Sequence, residues 1–299
     1  MLNIALIFIY LIFGYILQKT RFGTQPTANY LNKFVIYISL PAMILLQIPN
    51  ISISLDSVIP VGIAWSVMTL TAIIVFIVAK IFHFSKEITG ALLLVTPLGN
   101  TSFLGIPLIQ TYLSPSALPY VIIYDQLGTF LALAVYGTII ISLYSNTSEL
   151  NLKMILYKVL TFPPFVFLMI AFMIPDTSYI DGFKDIFEIL AFTITPFALI
   201  AVGLQLNLLL PKQEIKYISF SLFIKLIISP LLAYLICFYF GWNTLSSTVS
   251  IMEAGMAPMI TAGAMASLAG LAPRLTSAIL GFGIVISFVT IYILSFILL

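Results

Sequence analysis

Apolar runs about twenty residues long alternate with short polar stretches along the whole chain. A helix needs about 20 such residues to cross a hydrocarbon core of ~30 Å. Ten segments reach that length, at roughly 1–18, 30–48, 58–79, 88–112, 117–142, 157–174, 187–208, 218–240, 245–268 and 275–298. The pattern predicts an all-α polytopic membrane protein with ten transmembrane helices. The first segment has no basic stretch before it and no small-residue cleavage site after it, so it reads as a spanning helix rather than a removable signal peptide.

The longest polar loop, 144–158, follows the fifth segment and divides the chain into halves at 1–145 and 146–299. An odd number of spans per half inserts the second half upside down, the inverted-repeat plan of many secondary transporters. Internal similarity agrees with this plan. The second segment carries Pro41 with Gln47 after it, and the seventh carries Pro196 with Gln205 after it.

The fourth and ninth segments are poor continuous helices. The fourth reads Thr96-Pro97-Leu98-Gly99-Asn100-Thr101-Ser102-Phe103-Leu104-Gly105-Ile106-Pro107, and the ninth reads Met252-Glu253-Ala254-Gly255-Met256-Ala257-Pro258-Met259-Ile260-Thr261-Ala262-Gly263. Pro107 removes a backbone donor and clashes one turn back, Gly99 and Gly105 add backbone freedom, and the ninth segment has the same defect. Unwound backbone is intolerable against lipid but acceptable where it is buried or lines a wet cavity. Interrupted segments at matching places in two inverted halves therefore mark a transport site. Each second half-helix would present free N–H groups and a positive dipole end to an anion, and each first half-helix would end in carbonyls suited to a cation. In this reading Asn100, Thr101, Ser102, Gly105 and Pro107, with Ala257, Pro258 and Thr261, bind substrate.

Composition strengthens the membrane assignment. Of 299 residues, 62% are hydrophobic and 7% charged, against roughly 25% charged in soluble domains. The net charge of +2 and the lack of a basic tract leave nothing for nucleic acid to bind. One cysteine, Cys237, and one histidine, His83, cannot readily build a triad or a His/Cys metal site, so no enzyme is expected. With the N-terminus outside, Lys19, Arg21, Lys33, Lys80, Lys86, Lys153, Lys158, Lys212, Lys216 and Arg274 fall on the cytoplasmic side and Lys184 on the other. That bias orients a multi-pass protein in the cytoplasmic membrane with both termini outside.

Three charges fall inside spans: Asp125 in the fifth, Lys225 in the eighth and Glu253 in the ninth. Intramembrane charges are costly and usually functional. Asp125 and Lys225 sit within ~6 Å of each other in depth on a ~30 Å core, which predicts a structural charge pair. Glu253 lies in the interrupted segment itself, roughly 10 Å deep at 1.5 Å per residue. With Asn100, Ser102 and Asp125 it forms the expected ion-coupling site.

The same residues carry a resemblance. Gly99 to Pro107 resembles the fourth-helix motif of the auxin efflux carrier family, and Glu253 to Pro258 with Met259-Ile260-Thr261-Ala262 resembles its ninth-helix motif. Pro196-Phe197-Ala198-Leu199 and Gly203-Leu204-Gln205-Leu206 are similar to its seventh helix. The resemblance covers essentially the whole chain, as a short bacterial-type member without the long cytoplasmic loop. It implies the fold of the bile-acid sodium symporters, with helices 4 and 9 broken and crossing. Helices 1, 2, 6 and 7 would form a scaffold through which a homodimer can assemble, and helices 3–5 and 8–10 a mobile transport domain. It implies alternating-access transport of a small organic anion, malate-like or auxin-like, with no cofactor. In the more distant sodium symporters a ninth-helix glutamate binds sodium, which makes Glu253 a candidate sodium ligand. Ala257 and Pro258 stand where those symporters carry polar residues, so sodium coupling, proton coupling and uncoupled transport all stay open, for this or another organic solute. A channel is the weaker rival, because the polar residues are isolated and form no continuous stripe.

Overall fold

The computed structural model describes residues 4–21, 23–49, 54–145, 152–175 and 177–299. The described residues are helical, with no strand among them beyond one isolated β-bridge. Among the described residues six helices are long and apolar enough to cross a membrane: α2 (Pro26–Gln47), α3 (Leu55–Ile81), α6 (Pro115–Tyr144), α9 (Ser178–Gln205), α10 (Lys212–Phe240) and α13 (Pro273–Leu298). The shorter helices α1 (Ile4–Leu17) and α8 (Pro163–Met173) are also apolar. Two pairs of shorter helices flank the interrupted segments, α4 (Lys86–Val95) with α5 (Ile106–Tyr112), and α11 (Leu245–Ala254) with α12 (Ile260–Leu268).

The sixth segment and the loop before it differ from expectation. Residues 146–151 lie outside the described residues, but Leu152–Leu160 forms a helix, α7, where the sequence reads as polar loop. The chain then breaks before Pro163 and Pro164, and Phe162 is extended at φ −73°, ψ 116°. A residue that precedes proline is pushed out of the α region, and proline is accommodated in the first helical turn, so the pair restarts a helix instead of continuing one.

Proline shapes other spans more gently. Three π-helical turns, Val35–Ser39, Thr101–Gly105 and Ile224–Ile228, each end two residues before a proline: Pro41, Pro107 and Pro230. A proline cannot donate to the carbonyl four residues back, and a wider turn absorbs the lost bond without breaking the rod. Two further π-turns, Tyr124–Phe130 and Leu133–Gly137, lie in α6. The helices carrying Pro41 and Pro196 meet where Ser39 and Thr193 share a hydrogen bond of 2.6 Å between hydroxyls.

The helices pack closely on one another. α1 packs on α9, α9 on α2, and α2 on α8. α3 packs on α6, α10 and α11, while α4 packs on α12 and α13. The α1–α9 crossing brings backbones together: a Cβ on Gly203 would lie 2.8 Å from the Tyr15 nitrogen and 3.0 Å from Gly14 Cα. Small residues permit such close approach between membrane helices.

Candidate functional site

The two interrupted segments meet. Gly99 pairs with Pro258 in an antiparallel bridge. The Asn100 amide donates to the Ala257 carbonyl at 2.8 Å, and the Met259 amide donates to the Leu98 carbonyl at 2.9 Å. Each break thus satisfies the backbone groups that the other exposes, which is how non-helical chain is tolerated at membrane depth. The sequence locates both breaks but misassigns one cause. α4 ends at Val95, ahead of Pro97, whereas Pro107 sits in the first turn of α5. Pro107 does not interrupt the fourth segment. It imposes the π-turn that carries Thr101 and Ser102.

Three buried charges surround the crossing. Asp125 accepts from the Thr101 hydroxyl at 2.5 Å and from the Gln126 amide nitrogen at 2.6 Å, with the Ser102 hydroxyl beside it. Lys225 Nζ donates to the Ala254 carbonyl at 3.0 Å, at the last residue of α11. No hydrogen bond or ion pair joins Asp125 to Lys225, so the expected charge pair is replaced by separate partners. The reason is directional: each residue lies in a π-turn, and the widened turn aims Asp125 at the start of the α5 segment and Lys225 at the end of α11.

Glu253 is fully buried, and neither carboxylate oxygen has a hydrogen-bond partner among the described residues. Asn100 Nδ2 and Gln126 Oε1 are buried and unpartnered as well. A Cβ on Gly105 would lie 2.5 Å from both Glu253 oxygens, so this carboxylate lies directly over the Gly105 backbone. Buried polar groups are nearly always paired, and a buried carboxylate without a partner has the chemistry of a group that holds a cation or a proton.

The candidate residues differ in access. Asn100, Thr101, Gly105, Pro107, Ala257 and Pro258 are buried, Ser102 is half-buried and Thr261 is exposed. Two cavities lie along α9, one at its C-terminal end and one beside its middle. One of about 490 Å³ is lined by Tyr15, Gln18, Gln205, Asn207 and Ser277. The other, of about 310 Å³, is lined by Gln47, Gln110, Glu188 and Thr195. Gln47 and Gln205, which the sequence pairs across the halves, fall one in each cavity. Sequence reasoning passed over Gln126 and Tyr136, whose hydroxyl donates to the Leu93 carbonyl near the end of α4 at 2.7 Å. Their signal was present, since both are polar side chains inside apolar runs.

The chain is similar to known proteins along nearly all of its length. It is 24% identical over 295 residues to an uncharacterized transporter of Methanothermobacter thermautotrophicus, covering 98% of this chain and 96% of that one. It is 26% identical over 263 residues to an uncharacterized transporter of Methanocaldococcus jannaschii, covering 85% and 84%. The family model described as "membrane transport protein" matches residues 1–295. With its membrane-length helices, this makes the chain a multi-pass membrane transporter, and it belongs to the auxin efflux carrier family.

Proposed function

We propose that this protein is a secondary transporter that moves a small organic anion, a carboxylate of malate-like or auxin-like size, across the cytoplasmic membrane by alternating access. The observation that carries this reading is the hydrogen-bonded crossing of the two interrupted segments, with the orphaned Glu253 carboxylate beside it. The half-helices α4–α5 and α11–α12 each count as one span and α1 and α8 as two more, giving ten spans in two inverted halves with both termini outside. α1, α2, α8 and α9 form the scaffold, and a homodimer assembles through it. The remaining helices form the moving domain, and the two cavities along α9 are the mouths that open in turn. Substrate binds at Asn100–Gly105 and Ala257–Thr261. Glu253, with Asn100, Ser102 and Asp125, takes the coupling ion.

The unpartnered Glu253 oxygens also favour a second reading, symport of a different organic solute with sodium or protons. One experiment addresses both: flux of a labelled organic-acid panel into proteoliposomes under separately imposed sodium and proton gradients. Saturable uptake with counterflow is expected, and Glu253→Gln should abolish the gradient-driven component while leaving membrane insertion intact. Wild-type coupled flux in that variant, or unsaturable flux without counterflow, overturns the proposal.

A further inference from the structure

We propose that the turn between α3 and α4, with the start of α10 beside it, is a docking surface for anionic phospholipid headgroups. The surface lies away from the crossing, and its test does not depend on what the protein carries.

A spanning helix ends among headgroups, where tyrosine rings and long basic side chains are favoured. α3 ends at Ile81, and the chain reverses through Phe82–Ser85 to start α4 at Lys86. The reversal is tight. His83 takes a left-handed φ of 51°, and its Nδ1 donates to the Lys80 carbonyl at 2.9 Å. The Phe84 amide donates back to the Ala79 carbonyl at 2.9 Å. Phe82 and Phe84 then stack with ring centroids 6.3 Å apart, and Phe84 meets the Tyr217 ring edge-on at 4.7 Å. Lys216 Nζ lies 4.8 Å from the centre of that tyrosine ring, a cation–π distance. Segments from the two halves of the sequence thus form one row of three rings with a cation over its end.

Lys80 and Lys86 flank the same row, and all three lysines are exposed. No ion pair holds any of them among the described residues. Glu87, the acid of this turn, is hydrogen-bonded to its own backbone and to Ser85. Glu214, in the turn that opens α10, is offset by Lys212 in the same turn. Three cations are left to attract an anion, and their apolar neighbours decide which one. Ile81 and Phe82 are 64% and 68% exposed. A soluble phosphate has no use for them. A phospholipid carries its phosphate beside its acyl chains, so it matches lysine and aliphatic or ring surface together. A lysine near an anionic bilayer surface contributes about fivefold in apparent affinity, and three together ~100-fold.

The test is lipid binding, read without transport. Purified protein in a neutral detergent is titrated with dioleoyl phosphatidylglycerol, with dioleoyl phosphatidylcholine or with soluble glycerol phosphate, and its thermal midpoint is followed. Phosphatidylglycerol should raise the midpoint by about 5 °C at saturation, well beyond phosphatidylcholine, and glycerol phosphate should leave it unchanged. Replacing Lys80, Lys86 and Lys216 together by Gln should move the response to ~100-fold higher phosphatidylglycerol. Replacing Lys19, Lys33 and Lys153 by Gln removes equal charge elsewhere and should leave the wild-type response. Phe82→Ser, at an exposed ring, should weaken the response with every lysine in place. Equal responses to the two lipids overturn the proposal, as does an equal loss in both triple variants. A response to glycerol phosphate matching that to phosphatidylglycerol also overturns it, by making the patch a site for soluble phosphate. Should the first triple variant not purify, Lys80→Gln and Lys86→Gln are read singly. Each should cost about fivefold in apparent affinity, and no change in either overturns the proposal. A failure of the organic-anion reading would appear only in the flux assay and leaves this measurement intact.

Discussion

Substituting Gly105 by alanine separates the geometry of the site from the stability of the fold. The added Cβ would meet both Glu253 carboxylate oxygens at 2.5 Å and the Cδ carbon at 2.8 Å, where ordinary contact begins at 3.4 Å. The carboxylate must therefore retreat by about 0.9 Å. It is the far end of a flexible side chain, so the backbone need not move, and alanine in place of glycine contributes about 0.5–1 kcal/mol of helix stability in compensation. The fold should survive with its thermal midpoint little changed. Function should not, because about 1 Å of misplacement in a working group costs on the order of 10²-fold. Gradient-driven flux in proteoliposomes should fall by ~100-fold while reconstituted protein and thermal midpoint match the wild type. Gly62→Ala is the control: a Cβ there meets nothing within 4 Å, and it should transport normally. Flux within twofold of wild type in Gly105→Ala would show that the position of Glu253 over this glycine does not matter.

Two other substitutions probe neighbouring contacts. Thr101→Val removes the hydroxyl that Asp125 accepts at 2.5 Å. The loss should cost about 1.5–3 kcal/mol in thermal denaturation, Thr101→Ser should restore most of it, and equal midpoints for all three proteins would refute the contact. Gly203→Ala places a Cβ against the backbone of α1, 2.8 Å from the Tyr15 nitrogen. Backbone cannot swing aside as a side chain can, so the midpoint should fall by the equivalent of about 1–3 kcal/mol, and an unchanged midpoint would refute close packing of these helices.

The sequence was most legible where one physical constraint dominates. Lipid demands long apolar runs, and the long spans follow from that alone. The interruptions at Gly99 and Pro258 were legible because Pro and Gly cluster there. What joins them was not, since a backbone bridge such as Asn100 to Ala257 leaves no mark in side-chain identity. The charges show the same limit. Depth placed Asp125 and Lys225 at a common level, but partner choice depends on the direction in which each side chain leaves its helix, and a π-turn changes that direction. The turns do leave a mark in the sequence, because Ile224–Ile228 and Thr101–Gly105 each end two residues before a proline. The break at Phe162 could also have been read from Pro163 and Pro164. The orphaned oxygens of Glu253 could not, because satisfaction depends on every neighbour at once.

The bridge between Gly99 and Pro258 also constrains biogenesis. The two residues are about 160 positions apart, and a ribosome adding ~5–20 residues per second needs roughly 8–30 s to travel from one to the other. Throughout that interval the Asn100 amide and the Leu98 carbonyl have been made, but their partners, Ala257 and Met259, do not yet exist. A nascent chain cannot leave such groups in hydrocarbon, so the fourth segment must wait in a hydrated passage or shielded by an insertion factor. Its final seat in the bilayer is granted only when the ninth segment arrives.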